Sequence, residues 1–170
     1  MEYWDIYDKD RNLTGRKMKR NDWILKDGEY HISVLGVIER KPGEFLITKR
    51  KMNKSWAPGW WEVPGGGVKS GETPDEAVIR EVFEETGLDV TGASGGHFLT
   101  YERVNPGEGD NYFMDVYRFR LDFSEEDLKI LPDEIDEYRL ASKDEIEELA
   151  RTDHFLHYDS MKEVFESQDQ

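Results

Sequence analysis

The stretch "GGGVKSGETPDEAVIREVFEETGLDV", Gly65 to Val90, constrains this chain more than any other. Three glycines precede a run that carries a full set of helix signals. Thr73 suits the N-cap, and Pro74 suits the first helical position, where a missing N–H does no harm. Glu76 follows Thr73 by three residues and completes a capping box, and Gly87 fits just past the helix end. The spacing therefore predicts a helix over Pro74 to Thr86. At about 100° per residue with Glu81 as origin, Ala77 falls near −40°, Glu84 near −60° and Glu85 near +40°. Val78, Ile79, Val82, Phe83 and Thr86 fall between about +60° and +200°, so the apolar side is expected to face away from the acids.

Like charges three or four positions apart destabilise a helix by about 0.2–0.5 kcal/mol per pair. Glu85 also lies near the negative end of the helix dipole. Solvent can relieve this crowding. So can a hard divalent cation, which takes oxygen ligands and tolerates several carboxylates. Glycines let backbone N–H and C=O groups approach a phosphate or a metal without an intervening β-carbon. From these residues alone, a plain turn before a solvated helix and a metal–phosphate site both remain open.

The other elements follow from pattern. "YWDIYDKDRNLTGRKMKR" reads as a hairpin, making residues 1–29 an N-terminal extension that covers its own domain or reaches a neighbour in a homodimer. "YHISVLGVIER" and "EFLITKR" read as strands joined by the turn Lys41 to Gly43. "KMNKSWAPGW" is a loop, and "WWEVP" a short strand entering the glycines. "HFLTYERV" and "NYFMDVYRFRLDF" are further strands, and "LPDEIDEYRLAS" is a loop leading into another. "SKDEIEELAR" opens on a second capping box, Ser142 and Glu145, and "YDSMKEVFES" reads as the last helix. Strands, helix, strands, helices in that order imply a mixed sheet with helices packed on it, an α/β fold.

A length of 170 residues fits one domain over 1–170. The formal net charge of −15 repels nucleic-acid polymers and anionic membranes, so neither is an expected partner. A phosphate substrate would need a local positive patch or a bound metal. Without cysteine, the chain has no disulfide, thiolate nucleophile or Cys-based zinc site. "MEYWDIYDKD" lacks the apolar run of a secretory signal, and no window approaches about 18 apolar residues, so the expected location is cytoplasmic.

Gly66, five residues, Glu72, seven residues, then Arg80-Glu81-Val82-Phe83-Glu84-Glu85-Thr86-Gly87-Leu88 resembles the complete Nudix box, residues 66–88. The resemblance implies an α/β/α sandwich around a mixed sheet. It also implies hydrolysis of a nucleoside diphosphate linked to some group X, a small-molecule diphosphate, with Mg²⁺ or Mn²⁺. By position, Glu81, Glu84 and Glu85 resemble the metal carboxylates, with a backbone carbonyl of Gly65 or Gly66 as a further ligand. Glu72 and Arg80 resemble the pair that holds the loop and helix together. Glu84 or Glu85 would serve as catalytic base. Family members often add a late-loop carboxylate, and here Glu134 is favoured over Asp133 and Glu137. Lys49 and Arg50, in the basic stretch Lys49 to Lys54, are candidate phosphate contacts alongside Gly65 and Gly67.

Trp4 to Val90 is also similar to isopentenyl-diphosphate isomerase and its Nudix relatives. The isomerase depends on a cysteine segment that here reads "EVPGGG", and on several histidines of which only His31 has a counterpart. Isomerase activity is therefore not expected, and His31 is read as a structural strand histidine. The alternative to an enzyme is a non-catalytic Nudix domain that senses a nucleotide or holds a partner.

Overall fold

The fold is organised by one strand, β3 (His31–Lys41), whose two faces are both covered. The computed structural model describes residues 1–167. On one side β3 runs parallel to β8 (Tyr112–Arg120), with His31 opposite Tyr112 and Glu39 opposite Arg120. β8 pairs antiparallel with β7 (Ser94–Arg103). On its other side β3 turns through Pro42 and Gly43 into the antiparallel β4 (Glu44–Arg50). β4 in turn carries β5 (Trp61–Glu62) and β9 (Ile135–Ala141). The parallel and antiparallel pairings together make the expected mixed sheet.

Alternation along β3 divides the core. Ile32, Val34 and Ile38 pack with Ala77, Val78 and Val82 of α1 (Pro74–Thr86). Leu35 and Val37 pack on the opposite face with Ile146 of α2 (Lys143–Thr152), with Met161 of α3 (Tyr158–Met161) and with Phe165. Helices therefore cover both faces, and the α/β sandwich is observed. Both capping boxes form as expected, on Thr73 with Glu76 and on Ser142 with Glu145.

Three local expectations change. The glycines are not only a turn: Gly65–Gly67 form a short strand, β6, antiparallel to β3, with Gly66 opposite Val34. The last helix is broken, because four residues of α3 pass into a 3-10 turn over Lys162–Phe165. The buried Arg118 guanidinium donates to the carbonyls of Val164 (2.7 Å) and Glu166 (2.6 Å), which withdraws those acceptors from any helical ladder. On α1 the acids and the apolar side chains are not opposed. Phe83 is 58% exposed, whereas Glu81 and Glu85 are largely covered. The buried arc runs from Ala77 through both glutamates to Val82 and Thr86, because the helix meets β3 with one edge and the glycine strand with the other.

The N-terminal residues form the expected hairpin, β1 (Tyr3–Tyr7) with β2 (Leu13–Lys19). It folds onto its own chain, and Tyr7 and Tyr30 exchange two backbone hydrogen bonds of 2.8 Å. No helix among the described residues is long and apolar enough to cross a membrane.

Candidate active site

The end of β3 that holds β6 is also where α1 presents its acids. Glu85 lies against the glycine strand, and its Oε2 accepts the Gly65 N–H at 2.9 Å. Glu81 lies against Gly66 so closely that a β-carbon on that residue would fall 2.5 Å from Glu81 Oε1. Any larger residue there would have to displace the carboxylate beside it. Burial, with the neighbouring charge of Glu81, Glu62 and Glu134, holds the Glu85 carboxyl well above the usual carboxylate range. Burial likewise raises Glu81, opposed by Arg80 and reinforced by the charges of Glu84 and Glu2.

Arg80 orders this cluster. Its guanidinium grips both Glu72 oxygens, at 2.7 and 2.9 Å, and reaches the Gly67 carbonyl at 3.2 Å. It also donates to Glu81 at 2.8 Å and to Glu84 at 3.4 Å. Glu72 in turn accepts the Lys69 N–H at 3.0 Å. Glu72, Arg80 and the Gly67 carbonyl thus form one connected network between the loop and the helix. Of Glu81, Glu84 and Glu85, Glu84 is the one that faces solvent, with half its side chain exposed.

Glu134 enters from the loop before β9. It ion-pairs with Lys54, and its carbonyl accepts the Lys51 N–H at 3.2 Å. Asp133 is exposed, and Glu137 sits on β9 beside Arg139. Arg50 is brought to the cluster, with its guanidinium 3.6 Å from Glu62, its Nε on the Trp56 carbonyl at 3.1 Å and its plane over the Trp56 ring. Lys49 is not: its ammonium lies over the Trp61 ring, at 5.9 Å.

Glu62 is the site acid that the sequence reading missed. Burial raises its carboxyl to about 7, with Arg50 pulling it down and Glu134 pushing it up. A signal was available. In "WWEVP" Trp61 and Val63 are core residues, so strand alternation turns Glu62 to the opposite face, beside the glycines. His31 is 3% exposed, stacks on Trp4 at 4.5 Å, and shares a 3.0 Å hydrogen bond between Nε2 and Asp110. Its role as a structural strand histidine fits these contacts.

The donor set suits a hard divalent cation: oxygen only, anionic, and crowded enough that like charges need neutralising. No ready-made cage of three such groups exists among the described residues, since Arg80 holds Glu81 and Glu84 and the Gly65 N–H holds Glu85.

The chain is similar to known proteins. A family model described as the NUDIX domain matches residues 29–164. An uncharacterized Nudix hydrolase of Listeria monocytogenes is 31% identical over 168 residues, covering 97% of this chain and 94% of that one. An ADP-ribose pyrophosphatase of Methanocaldococcus jannaschii is 49% identical over 57 residues, covering 34% and 32% of the two chains. A crystal structure from Deinococcus radiodurans superposes with a TM-score of 0.69 at 24% identity, over 88% of each chain, and so shares the fold.

Proposed function

The chain belongs to the Nudix family, and on that premise we propose that it is a divalent-metal-dependent pyrophosphohydrolase of a nucleoside diphosphate linked to a further group. The observation that carries this reading is the burial of Glu81 and Glu85 against Gly65 and Gly66, with Glu62 and Glu134 adding negative charge. Such crowding of carboxylates costs free energy that a bound cation would offset. The short match to an ADP-ribose pyrophosphatase supports a nucleotide-type diphosphate as substrate. The reading takes residues 1–170 as one domain with the hairpin as its extension.

Glu81, Glu84 and Glu85, with the Gly66 carbonyl, would hold Mg²⁺ or Mn²⁺. When bound, the ion supplies positive charge to the diphosphate and acidifies water. The chain's own residues do the rest. Glu84, facing solvent, would take a proton from the attacking water, with Glu85 and Glu134 as the alternative acceptors. Arg50, poised beside Glu62, can turn its fork to a phosphate oxygen. Gly65 and Gly67 of β6 would contact the diphosphate, and Arg80 with Glu72 holds that loop.

The test is a hydrolysis screen of nucleoside diphosphate conjugates with Mg²⁺ or Mn²⁺, scored for phosphate or nucleotide release. Product from one class of conjugate is expected. Tight nucleotide binding with no product across the panel would instead favour a sensor.

A further inference from the structure

We propose that the N-terminal hairpin is a clamp on the carboxylate site, with Trp4 and Asp5 as its positioning residues. This rests on the reading of that site as a metal-assisted hydrolase. The hairpin lies outside the residues 29–164 that match the family domain.

Trp4 and Asp5 touch the active-site loop directly. Trp4 is 5% exposed and lies flat against Gly67, where a β-carbon would come 2.5 Å from its ring. Both oxygens of Asp5 are spent on the turn after β6: Oδ1 accepts the Ser70 hydroxyl at 2.8 Å, and Oδ2 accepts the Gly71 N–H at 3.0 Å. The Tyr3 carbonyl accepts the Ser70 N–H at 2.8 Å. The same turn leads into Glu72, and Glu72 holds Arg80, which holds Gly67, Glu81 and Glu84. An unbroken set of contacts therefore runs from the hairpin to the acids.

A clamp also needs a fixed base. Arg11 makes two bonds of 3.0 and 2.8 Å to Asp115 on β8, whose side chain is 5% exposed. Tyr7 is tied to Tyr30 just ahead of β3. The hairpin is thus referenced to the strands that carry the site, and Asp5 transmits that reference to the loop. Trp4 belongs to a small core with Ile6, Met18 and Leu25, so its loss would unsettle the hairpin generally. Asp5 is different, because among the described residues its side-chain hydrogen bonds go only to the loop.

Asp5→Ala removes both acceptors, so neither the Ser70 hydroxyl nor the Gly71 N–H keeps its partner on the hairpin. Amide hydrogen exchange and Mn²⁺ affinity, by electron paramagnetic resonance, are measured on the full chain. The expected result is exchange of the Gly65–Glu72 amides faster by about tenfold or more, with the amides of β8 unchanged. Mn²⁺ binding weakens by about 10–100-fold, the usual effect of losing a partner that orients metal ligands. Ser70→Ala, a milder cut of the same contact, moves both readouts in the same direction and guards against misfolding of the first variant. The clamp is overturned if the loop amides of both variants exchange within about twofold of the unmutated chain, or accelerate no more than β8. Failure of the unmutated chain to bind Mn²⁺ would defeat the hydrolase reading instead, and loop exchange alone would then uphold or overturn the clamp.

Discussion

Glu81 occupies the space into which any side chain on residue 66 would grow, with its Oε1 2.5 Å from the position of a β-carbon there. Gly66→Ala must therefore push the carboxylate aside. The far end of a glutamate moves easily, so the stability cost should stay within the usual overpacking range of about 1–3 kcal/mol. Metal affinity and turnover should fall by about tenfold or more, because a carboxylate in the proposed ligand set is displaced. Unchanged Mn²⁺ binding in this variant would count against Glu81 as a ligand.

Glu84→Gln separates chemistry from folding. Glu84 is half exposed and its ion pair among the described residues is the long 3.4 Å contact to Arg80, so stability should change by less than about 0.5 kcal/mol. Turnover should drop by about 10²–10⁴-fold if it accepts the water proton. A near-normal rate with excess Mg²⁺ would remove Glu84 from that role.

Arg80→Lys keeps the charge and loses the fork. A single ammonium cannot bind both Glu72 oxygens, the Gly67 carbonyl and Glu81 at once. Several buried acceptors then lose their donor, at a cost of about 1–3 kcal/mol. The urea midpoint should fall with the slope unchanged. A midpoint equal to that of the unmutated chain would show that the network does not brace the fold.

His157 gives a pH signature away from the acids. Burial, helped by the Arg103 charge, depresses its imidazole to about 4 from an ordinary 6.5. Its Nδ1 lies 3.0 Å from the Tyr101 hydroxyl on β7, and Arg103 on β7, Tyr112 on β8, and Tyr158 and Asp159 share the surrounding 490 Å³ cleft with it. The folded chain disfavours the proton, so the unfolded chain binds more of it between these values. The contribution of His157 to stability should be fully present above pH 6.5 and be lost as pH falls toward 4, by up to roughly 3 kcal/mol. His157→Asn, chosen because Asn tolerates the left-handed φ of 65°, should flatten that part of the unfolding free energy against pH. An unaltered slope would reject the assignment.

The primary sequence determined a great deal on local grounds. Helix α1 and its caps, the strands on either side of it and the acids of Glu81, Glu84 and Glu85 were all legible. Caps, turns and periodicity act over a few residues, and the Nudix spacing is linear. The tertiary structure decided what each acid experiences. The helix projection set the carboxylates opposite the apolar side, yet packing against both β3 and the glycine strand buried Glu81 and Glu85 within the same arc. Glu62 joined the site only because β5 pairs with β4 and turns that side chain inward. Lys49 left it because the same pairing sets Lys49 opposite Trp61 and lays its ammonium over that ring. The hold of Asp5 on Ser70 and Gly71, across more than sixty residues, had no local signal. Burial and long-range hydrogen bonding are properties of the folded surface, and no spacing along the chain encodes which residues will share one.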